Sequence, residues 1–324
     1  MAAYFNNKNN FFHGIMFHHF HDNKIHKGGQ GSINQDDFYK LINFVGRKNI
    51  LDADEFFKRF KDNKLTEKNL CLTFDDGIKS QFDVALPVLE DLKIKSFFFV
   101  YSSLFTKNPD FLEVYRYFRI NYFKNIEDFY NLFFKKCDKD LNSFFNVNNK
   151  RIENSRIKFP MYSVNDIKFR LVRNVLLSSK EYENIMNDMF KEKKFNPKSV
   201  FDILFLNERN IIEMKKLGHS IGLHSHSHPM KIENLSYNDQ KKEYKDNIDY
   251  LSKILNCKKN EIKYMSHPCG SYNNDTLSIL DNFGIELGFK QIMTIEKEKN
   301  MKKINNSKLE IARQDHSIIK KMMN

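Results

Sequence analysis

Three histidines fall on five consecutive positions within the stretch 221–229, which reads IGLHSHSHP. His224 and His228 are four residues apart, so on a helical turn or in a tight loop both imidazoles can face one point. A single histidine is more often solvated or satisfied in a core than bound to a metal. Three of them directly after a short apolar run favour a metal site.

Two adjacent carboxylates, Asp75 and Asp76, follow the apolar run Leu70–Phe74 and precede Gly77. In parallel α/β folds, functional groups are built at the carboxyl ends of the strands. Neighbouring residues at a strand end point in different directions, so one carboxylate can bind a metal while the other faces substrate or water. Taken alone, such a pair is more often a turn or a helix-capping aspartate.

Taken together, the two stretches describe one kind of site. Two imidazoles and one carboxylate leave open positions for water and substrate, which is typical of a catalytic metal and not of a closed structural one. The sequence therefore predicts a divalent metal, with zinc as the expected ion, bound by Asp76, His224 and His228.

The elements that must position these residues are short apolar runs separated by helical patterns. This alternation predicts an α/β architecture with a mainly parallel sheet or barrel. The candidate strands are Ile15–Phe17, Leu70–Phe74, the stretch IKSFFFVY, the stretch SIGL and the stretch IKYMSHP.

The stretch of about residues 103–207 differs in character from the rest. Phe, Tyr, Asn and Lys dominate it, and no chemistry-bearing motif occurs there. We expect a mostly helical insertion in a single catalytic domain of residues 1–324, with a role in substrate choice. Its aromatic residues are expected either to cap a cleft, to contact a second copy, or to fill the core of a helical subdomain.

Charge and cysteine content exclude several classes. The net charge is +12, but lysines alternate with acidic residues as on solvated helix faces, and no nucleic-acid reader motif accompanies them, so a nucleic-acid partner is not expected. The four cysteines form no CxxC pair, which argues against a disulfide framework and a thiolate zinc site.

Asparagine and lysine interrupt the N-terminal apolar residues, so we expect a cytoplasmic protein without membrane insertion. The oligomeric state stays open.

The motif LTFDDG, followed by His-Ser-x-x-His-Pro, resembles the first two motifs of the polysaccharide deacetylase family, carbohydrate esterase family 4, which has the NodB homology domain. The resemblance covers about residues 10–103 and 208–318. It implies a deformed (β/α) barrel with seven strands. It also implies roles for five residues: a general base, Asp75; three metal ligands, Asp76, His224 and His228; and a brace for the histidine loop, Ser225.

The chain departs from the family pattern in its later motifs. Where the family commonly has Arg-x-Pro-x-Gly, residues 266–270 read SHPCG, with serine in place of arginine. Pro268, Cys269 and Gly270 match the rest of that motif, and a main-chain N–H of Cys269 or Gly270 is expected to stabilise the oxyanion. The family's late Leu-x-x-His segment is not recognisable.

Two assignments of the general acid therefore remain open. His316 lies in the late stretch IARQDHSI, where Arg313 could replace the missing arginine as partner of Asp75. His18 or His19, at the end of the first strand, could also reach the site.

The resemblance implies a metal-dependent hydrolase that removes an N-acyl group, with acetyl expected, from a sugar. The expected substrate is a nucleotide- or lipid-linked intermediate of surface polysaccharide biosynthesis, such as O-antigen or capsule. Two alternatives remain: a hydrolase of a non-sugar amide, as in allantoinase-like relatives, and a non-catalytic carbohydrate-binding module. An intact Asp75 argues against the binding module, because a binder needs no base.

Overall fold

The computed structural model of the protein describes residue 4 and residues 11–106, 109–158, 162–291 and 307–323. The chain forms two compact units. The first unit contains Met1–Asp110 and Asp202–Asn324, and the second contains Phe111–Phe201. Residues 107–108 and 159–161 of the expected insertion lie outside the described residues.

The first unit is built around seven parallel strands in its described part. The strands are β1 (His13–Phe17), β2 (Leu70–Phe74), β3 (Phe97–Val100), β4 (Ser220–Leu223), β5 (Tyr264–Ser266), β6 (Leu287–Phe289) and β7 (Arg313–Asp315). Their order in the sheet is β6-β5-β4-β3-β2-β1-β7.

The two edges of this sheet meet just before β7. Phe289 of β6 pairs in parallel with Ile311. The Ile311 N–H donates to the Gly288 carbonyl at 2.9 Å, and the Lys290 N–H donates to the Ile311 carbonyl at 3.0 Å. The sheet is therefore a nearly closed barrel, and the predicted deformed (β/α) barrel of seven strands is confirmed.

The strand sequences explain why they occupy the barrel wall. Every residue of β2 (LCLTF) and of β3 (FFFV) is buried. Continuous apolar runs are typical of parallel strands that are covered on both faces. Inside one cluster, Phe97 and Phe99 pack with Phe289 and with Phe56 from the covering helix layer. The ends of these apolar runs coincide with the ends of the strands, and the polar residues emerge after them.

Helices connect the strands, and fourteen lie among the described residues. They are α1 (Gln35–Val45), α2 (Ala53–Lys61), α3 (Leu86–Asp91), α4 (Leu112–Asn121), α5 (Ile126–Lys136), α6 (Leu141–Val147), α7 (Asn149–Lys158), α8 (Val164–Leu171), α9 (Ser179–Glu192), α10 (Phe201–Leu204), α11 (Glu208–Lys216), α12 (Tyr237–Ile254), α13 (Asn274–Asn282) and α14 (His316–Met323). None of them combines the length and the apolarity that crossing a bilayer requires.

The second unit contains α4 to α9, so the helical character predicted for this stretch is confirmed. Side chains cap its helices: Asn125 and Ser178 each accept a hydrogen bond from a main-chain N–H of the first turn that follows. Several of its phenylalanines, including Phe118, Phe133 and Phe169, are buried and pack ring against ring. These rings fill the core of a helical subdomain, which is one of the three roles expected for the aromatic residues of this stretch.

Candidate metal centre

Asp75 and Asp76 lie in a tight turn directly after β2. Asp76 has φ +74° and Gly77 has φ +60°, so the backbone passes twice through the left-handed region. The positive φ of Gly77 favours glycine, and a Cβ there would also lie 2.8 Å from Cδ2 of Leu104. The turn directs both carboxylates inward, where Asp75 is 2% and Asp76 7% exposed.

The histidine loop follows β4 and is also left-handed at two positions. Ser225 has φ +63° and His228 has φ +56°. The Ser225 hydroxyl accepts a hydrogen bond from the His228 N–H at 3.1 Å, which is the contact expected of a brace. Glu243 of α12 accepts the N–H groups of residues 226 and 227 at 2.9 and 2.7 Å, so the loop is held from outside as well.

The two loops bring the three predicted ligands together. The Nε2 atoms of His224 and His228 lie 3.1 and 3.2 Å from Oδ1 of Asp76. All three atoms lie within 4.8 Å of one another, and all three residues are buried. The structure thus has a cluster that could hold a metal ion.

The hydrogen bonds behind the imidazoles show why a cation fits between them. Nδ1 of His224 lies 2.9 Å from the Ser266 carbonyl, which can only accept, so Nδ1 carries the proton and Nε2 presents a lone pair. Nδ1 of His228 faces Oδ2 of Asp110 at 3.3 Å and donates to it in the same way. Oδ1 of Asp76 is buried without a hydrogen bond from the described residues. Lone pairs that converge in this manner need a cation between them.

Asp75 has a different environment from its neighbour. Nη1 of Arg313 donates to Oδ1 of Asp75 at 2.7 Å, and both side chains are buried. The Ser266 hydroxyl donates to the same oxygen at 3.2 Å. Burial raises the pKa of Asp75, but the positive charges of Arg313 and His224 outweigh it, so the pKa stays below the usual range. Asp75 is therefore ionised at neutral pH, with Oδ1 occupied by two donors.

A further imidazole, that of His18, lies close to both carboxylates. Its Nε2 lies 3.9 Å from Oδ2 of Asp75 and 3.9 Å from Oδ2 of Asp76. The ring of His19 stacks on that of His18, with centroids 6.0 Å apart.

His316 is placed differently, at the start of α14. Its Nδ1 lies 3.2 Å from the Met16 carbonyl, and its ring stacks on Phe17 with centroids 5.1 Å apart. Burial lowers its pKa, and the nearby charge of Asp315 does not reverse this. These contacts tie the imidazole to the main chain of β1.

The segment Pro268–Gly270 forms a short turn after β5. Cys269 has φ +53° and Gly270 has φ +69°. The Gly270 N–H donates to the His267 carbonyl at 3.1 Å, so one of the two main-chain donors expected for the oxyanion is already bonded. A Cβ on Gly270 would lie 2.8 Å from the side chain of Gln291, which explains the glycine.

Two residues of the site carry no signal in the sequence. Asp110 holds His228, and it follows a segment without any motif. Ser266 contacts both His224 and Asp75. In the sequence it stands out only because serine replaces the arginine that the family commonly has at this position. The contact of each with a motif residue spans more than a hundred positions, so only the fold reveals it.

Comparison with known proteins places this geometry in a family. The sequence matches the family model described as polysaccharide deacetylase over residues 62–118 and 184–288, which make up half of the chain. The match includes the ligand cluster and Asp75 but neither His18 nor Arg313. None of the curated protein sequences compared with this chain is significantly similar to it.

Several solved structures share the fold. The deacetylase PplD of Streptococcus pyogenes, solved in complex with acetate, has a TM-score of 0.55 at 18% identity, covering 97% of this chain and 98% of that one. A de-N-acetylase from Aggregatibacter actinomycetemcomitans has a TM-score of 0.53 at 12% identity, covering 93% of each chain. IcaB from Ammonifex degensii has a TM-score of 0.50 at 13% identity, covering 87% of this chain and 84% of that one. At these identities the likeness concerns the fold alone. With the family match over half its length, the chain belongs to the polysaccharide deacetylase family.

Proposed function

We propose that the protein is a metal-dependent N-deacetylase that hydrolyses the N-acetyl group of a sugar. The observation that supports this most directly is the pairing of two different carboxylates at one strand end. Asp76 lies with two imidazole nitrogens in a cluster suited to a divalent cation, and Asp75 is held ionised next to it by Arg313. A metal site with an adjacent base is suited to the hydrolysis of an unactivated amide.

The residues of the chain divide the proton transfers between them. Asp76, His224 and His228 would hold a divalent ion, which would supply Lewis acidity for lowering the pKa of water and polarising the acyl carbonyl. Asp75 takes one proton from the attacking water. Its Oδ1 already accepts from Arg313 and Ser266, so Oδ2 is the oxygen available for this proton.

In a second proton transfer, a general acid donates a proton to the nitrogen of the departing amine as the C–N bond breaks. We assign this step to His18, because its Nε2 lies 3.9 Å from the Oδ2 atoms of both Asp75 and Asp76. His316 is the alternative acid, but its Nδ1 is engaged by the main chain of β1. His19 would help to orient the His18 ring, on which its own ring stacks.

The finer substrate assignment is a nucleotide- or lipid-linked N-acetyl sugar used in surface polysaccharide assembly. Two features support it: the net charge of +12, which favours a pyrophosphate-bearing substrate, and the glycine-rich segment Lys27–Ile33, which follows β1 beyond His18. The second unit, Phe111–Phe201, is proposed to influence substrate choice without contributing to the chemistry.

The decisive experiment combines metal analysis with product analysis. We expect about one divalent ion, with zinc preferred, in the purified protein, and release of acetate from N-acetylated sugars but not of products from cyclic ureides. His228→Ala should lose both metal and activity while remaining folded. Full metal occupancy in this variant, or activity on ureides alone, would contradict the proposal.

A further inference from the structure

A single buried glutamine connects the two strand ends that carry the candidate base and the candidate acid. Gln81 is fully buried. Its Nε2 donates hydrogen bonds to the main-chain carbonyl oxygens of His18 and Asp75, at 2.9 and 2.6 Å. Because a primary amide carries two N–H groups, one side chain satisfies both carbonyls.

The position of these carbonyls explains why they need such a partner. β1 and β2 pair in parallel as far as Phe17 and Phe74. The Asp75 N–H still donates to the Phe17 carbonyl at 3.1 Å. The carbonyls of His18 and Asp75 lie beyond the last paired residues, and a buried carbonyl without a donor is unfavourable. Gln81 thus continues the connection between the strands after the ladder has ended.

The neighbouring residue strengthens this connection. The Ser80 hydroxyl accepts a hydrogen bond from the Phe20 N–H at 3.1 Å. Ser80 directly precedes a turn of π-helix at Gln81–Ala85, which follows the carboxylate turn in the chain. Two consecutive side chains therefore hold residues 18–20 against the strand end that carries Asp75. We refer to Ser80 and Gln81 as the strand-end clamp.

We infer that Gln81 is a positioning residue that holds the His18 imidazole at a fixed distance from Asp75. The inference rests on the proposed function, in which His18 protonates the departing amine. The two imidazole ligands depend on other contacts, since Ser266 holds His224 and Asp110 holds His228. Loss of the clamp should therefore displace the acid and leave the ligand cluster intact.

The leaving group provides a test that a merely structural role would not pass. Release of an amine requires a proton from the acid, whereas release of p-nitrophenolate from p-nitrophenyl acetate does not. Gln81→Met removes both N–H donors at similar volume. We expect kcat for a small N-acetylated sugar to fall by about 10- to 100-fold, the scale of an ångström-sized misplacement, with KM and metal content unchanged. Hydrolysis of p-nitrophenyl acetate should change little.

Gln240 offers a matched control. It is also fully buried, and its Nε2 donates to the Leu235 carbonyl at 3.0 Å, but it lies on α12 and contacts neither His18 nor Asp75 in the described contacts. Gln240→Met should leave the ratio of amide to ester hydrolysis at the wild-type value. If Gln81→Met folds poorly, Ser80→Ala probes the same clamp through the Phe20 N–H and should shift the ratio in the same direction, by less.

The inference would be overturned if Gln81→Met lost amide and ester hydrolysis equally, or if the ratio of amide to ester hydrolysis were unchanged in both clamp variants. It would also be overturned if Gln240→Met lost amide hydrolysis as selectively as Gln81→Met. His18→Ala separates this failure from that of the proposed function. If His18→Ala loses amide hydrolysis selectively and Gln81→Met does not, the acid is correctly assigned and the clamp is not. If His18→Ala retains full amide hydrolysis, the assigned acid is wrong and the inference falls with it.

Discussion

Replacing Arg313 with methionine tests how the candidate base is kept ionised. In the native protein Arg313 and Asp75 form a buried ion pair at 2.7 Å, with side-chain exposures of 1% and 3%. Removing one partner of a buried pair typically costs about 3–5 kcal/mol, because the remaining charge is left without compensation. The guanidinium also donates to the Lys290 carbonyl and to the Thr73 hydroxyl, so the loss should lie towards the upper part of that range.

The pH dependence of this loss has a defined sign. The pKa of Asp75 is lowered in the native protein, so the stability that it contributes is present above the pKa of an unfolded aspartate, about 3.9, and is lost as the pH falls through the folded value. Without Arg313, burial raises the pKa instead. The difference in stability between wild type and Arg313→Met should therefore be largest near pH 7 and shrink towards pH ~4.

Two assays check this reasoning. Urea unfolding of the metal-free proteins gives the stability difference at each pH, and the rate of deacetylation against pH should show its acidic limb displaced upwards in Arg313→Met. Asp75→Asn combined with Arg313→Met removes the buried charge altogether, so the double variant should be more stable than the sum of the single effects predicts. The account would be refuted if Arg313→Met were destabilised by less than ~1 kcal/mol near pH 7. It would also be refuted if the effects of the two substitutions on stability were strictly additive.

Three further predictions follow from the same geometry. Asp75→Asn should retain metal, because the three ligands are untouched, yet lower kcat by roughly 10²-fold or more; equal loss of metal and rate would make Asp75 a ligand. His13 is buried between Tyr4 and the Phe11 carbonyl, and burial lowers its pKa to about 4. Because the unfolded chain then binds the proton more readily, the free energy of unfolding should fall by up to ~3 kcal/mol as the pH drops from about 6.5 to about 4. His13→Gln should lack this part of the acid sensitivity. Joining Asp110 to Asp202 through a short glycine linker should give a protein that still binds metal but shows altered preference between large and small N-acetyl substrates; loss of metal without unfolding would show that the second unit supplies a ligand.

The boundaries of that deletion show what the structure adds to a domain prediction. The expected insertion of about residues 103–207 includes Asp110, which holds His228, and Phe205, which pairs with Ile78 next to the carboxylate turn. Cutting at the sequence-derived boundaries would remove both. A change in composition marks where helical character begins, but it does not reveal which flanking residues contact the site.

Five of the seven strands and the candidate metal ligands could be predicted from the sequence, and the family resemblance of its motifs implied the barrel. Short apolar runs such as Leu70–Phe74 are typical of buried strands, and the residues that follow two of them, at 75–76 and 224–228, emerge at the same end of a parallel sheet. Strand position and residue type are local properties of the chain. The cluster of Asp76, His224 and His228 could therefore be predicted from the sequence.

The tertiary structure alone decided how these residues are supported. Arg313 reaches Asp75 across 238 positions because β7 pairs with β1, where Gly14 lies opposite Arg313. A Cβ on Gly14 would lie 3.1 Å from Cγ of Arg313, so this glycine gives the arginine its path. The approach of His18 to both carboxylates, and the clamp by Gln81, likewise depend on which strand ends lie side by side. Contacts between distant segments depend on strand order and register, and neither is written in the local pattern of residues.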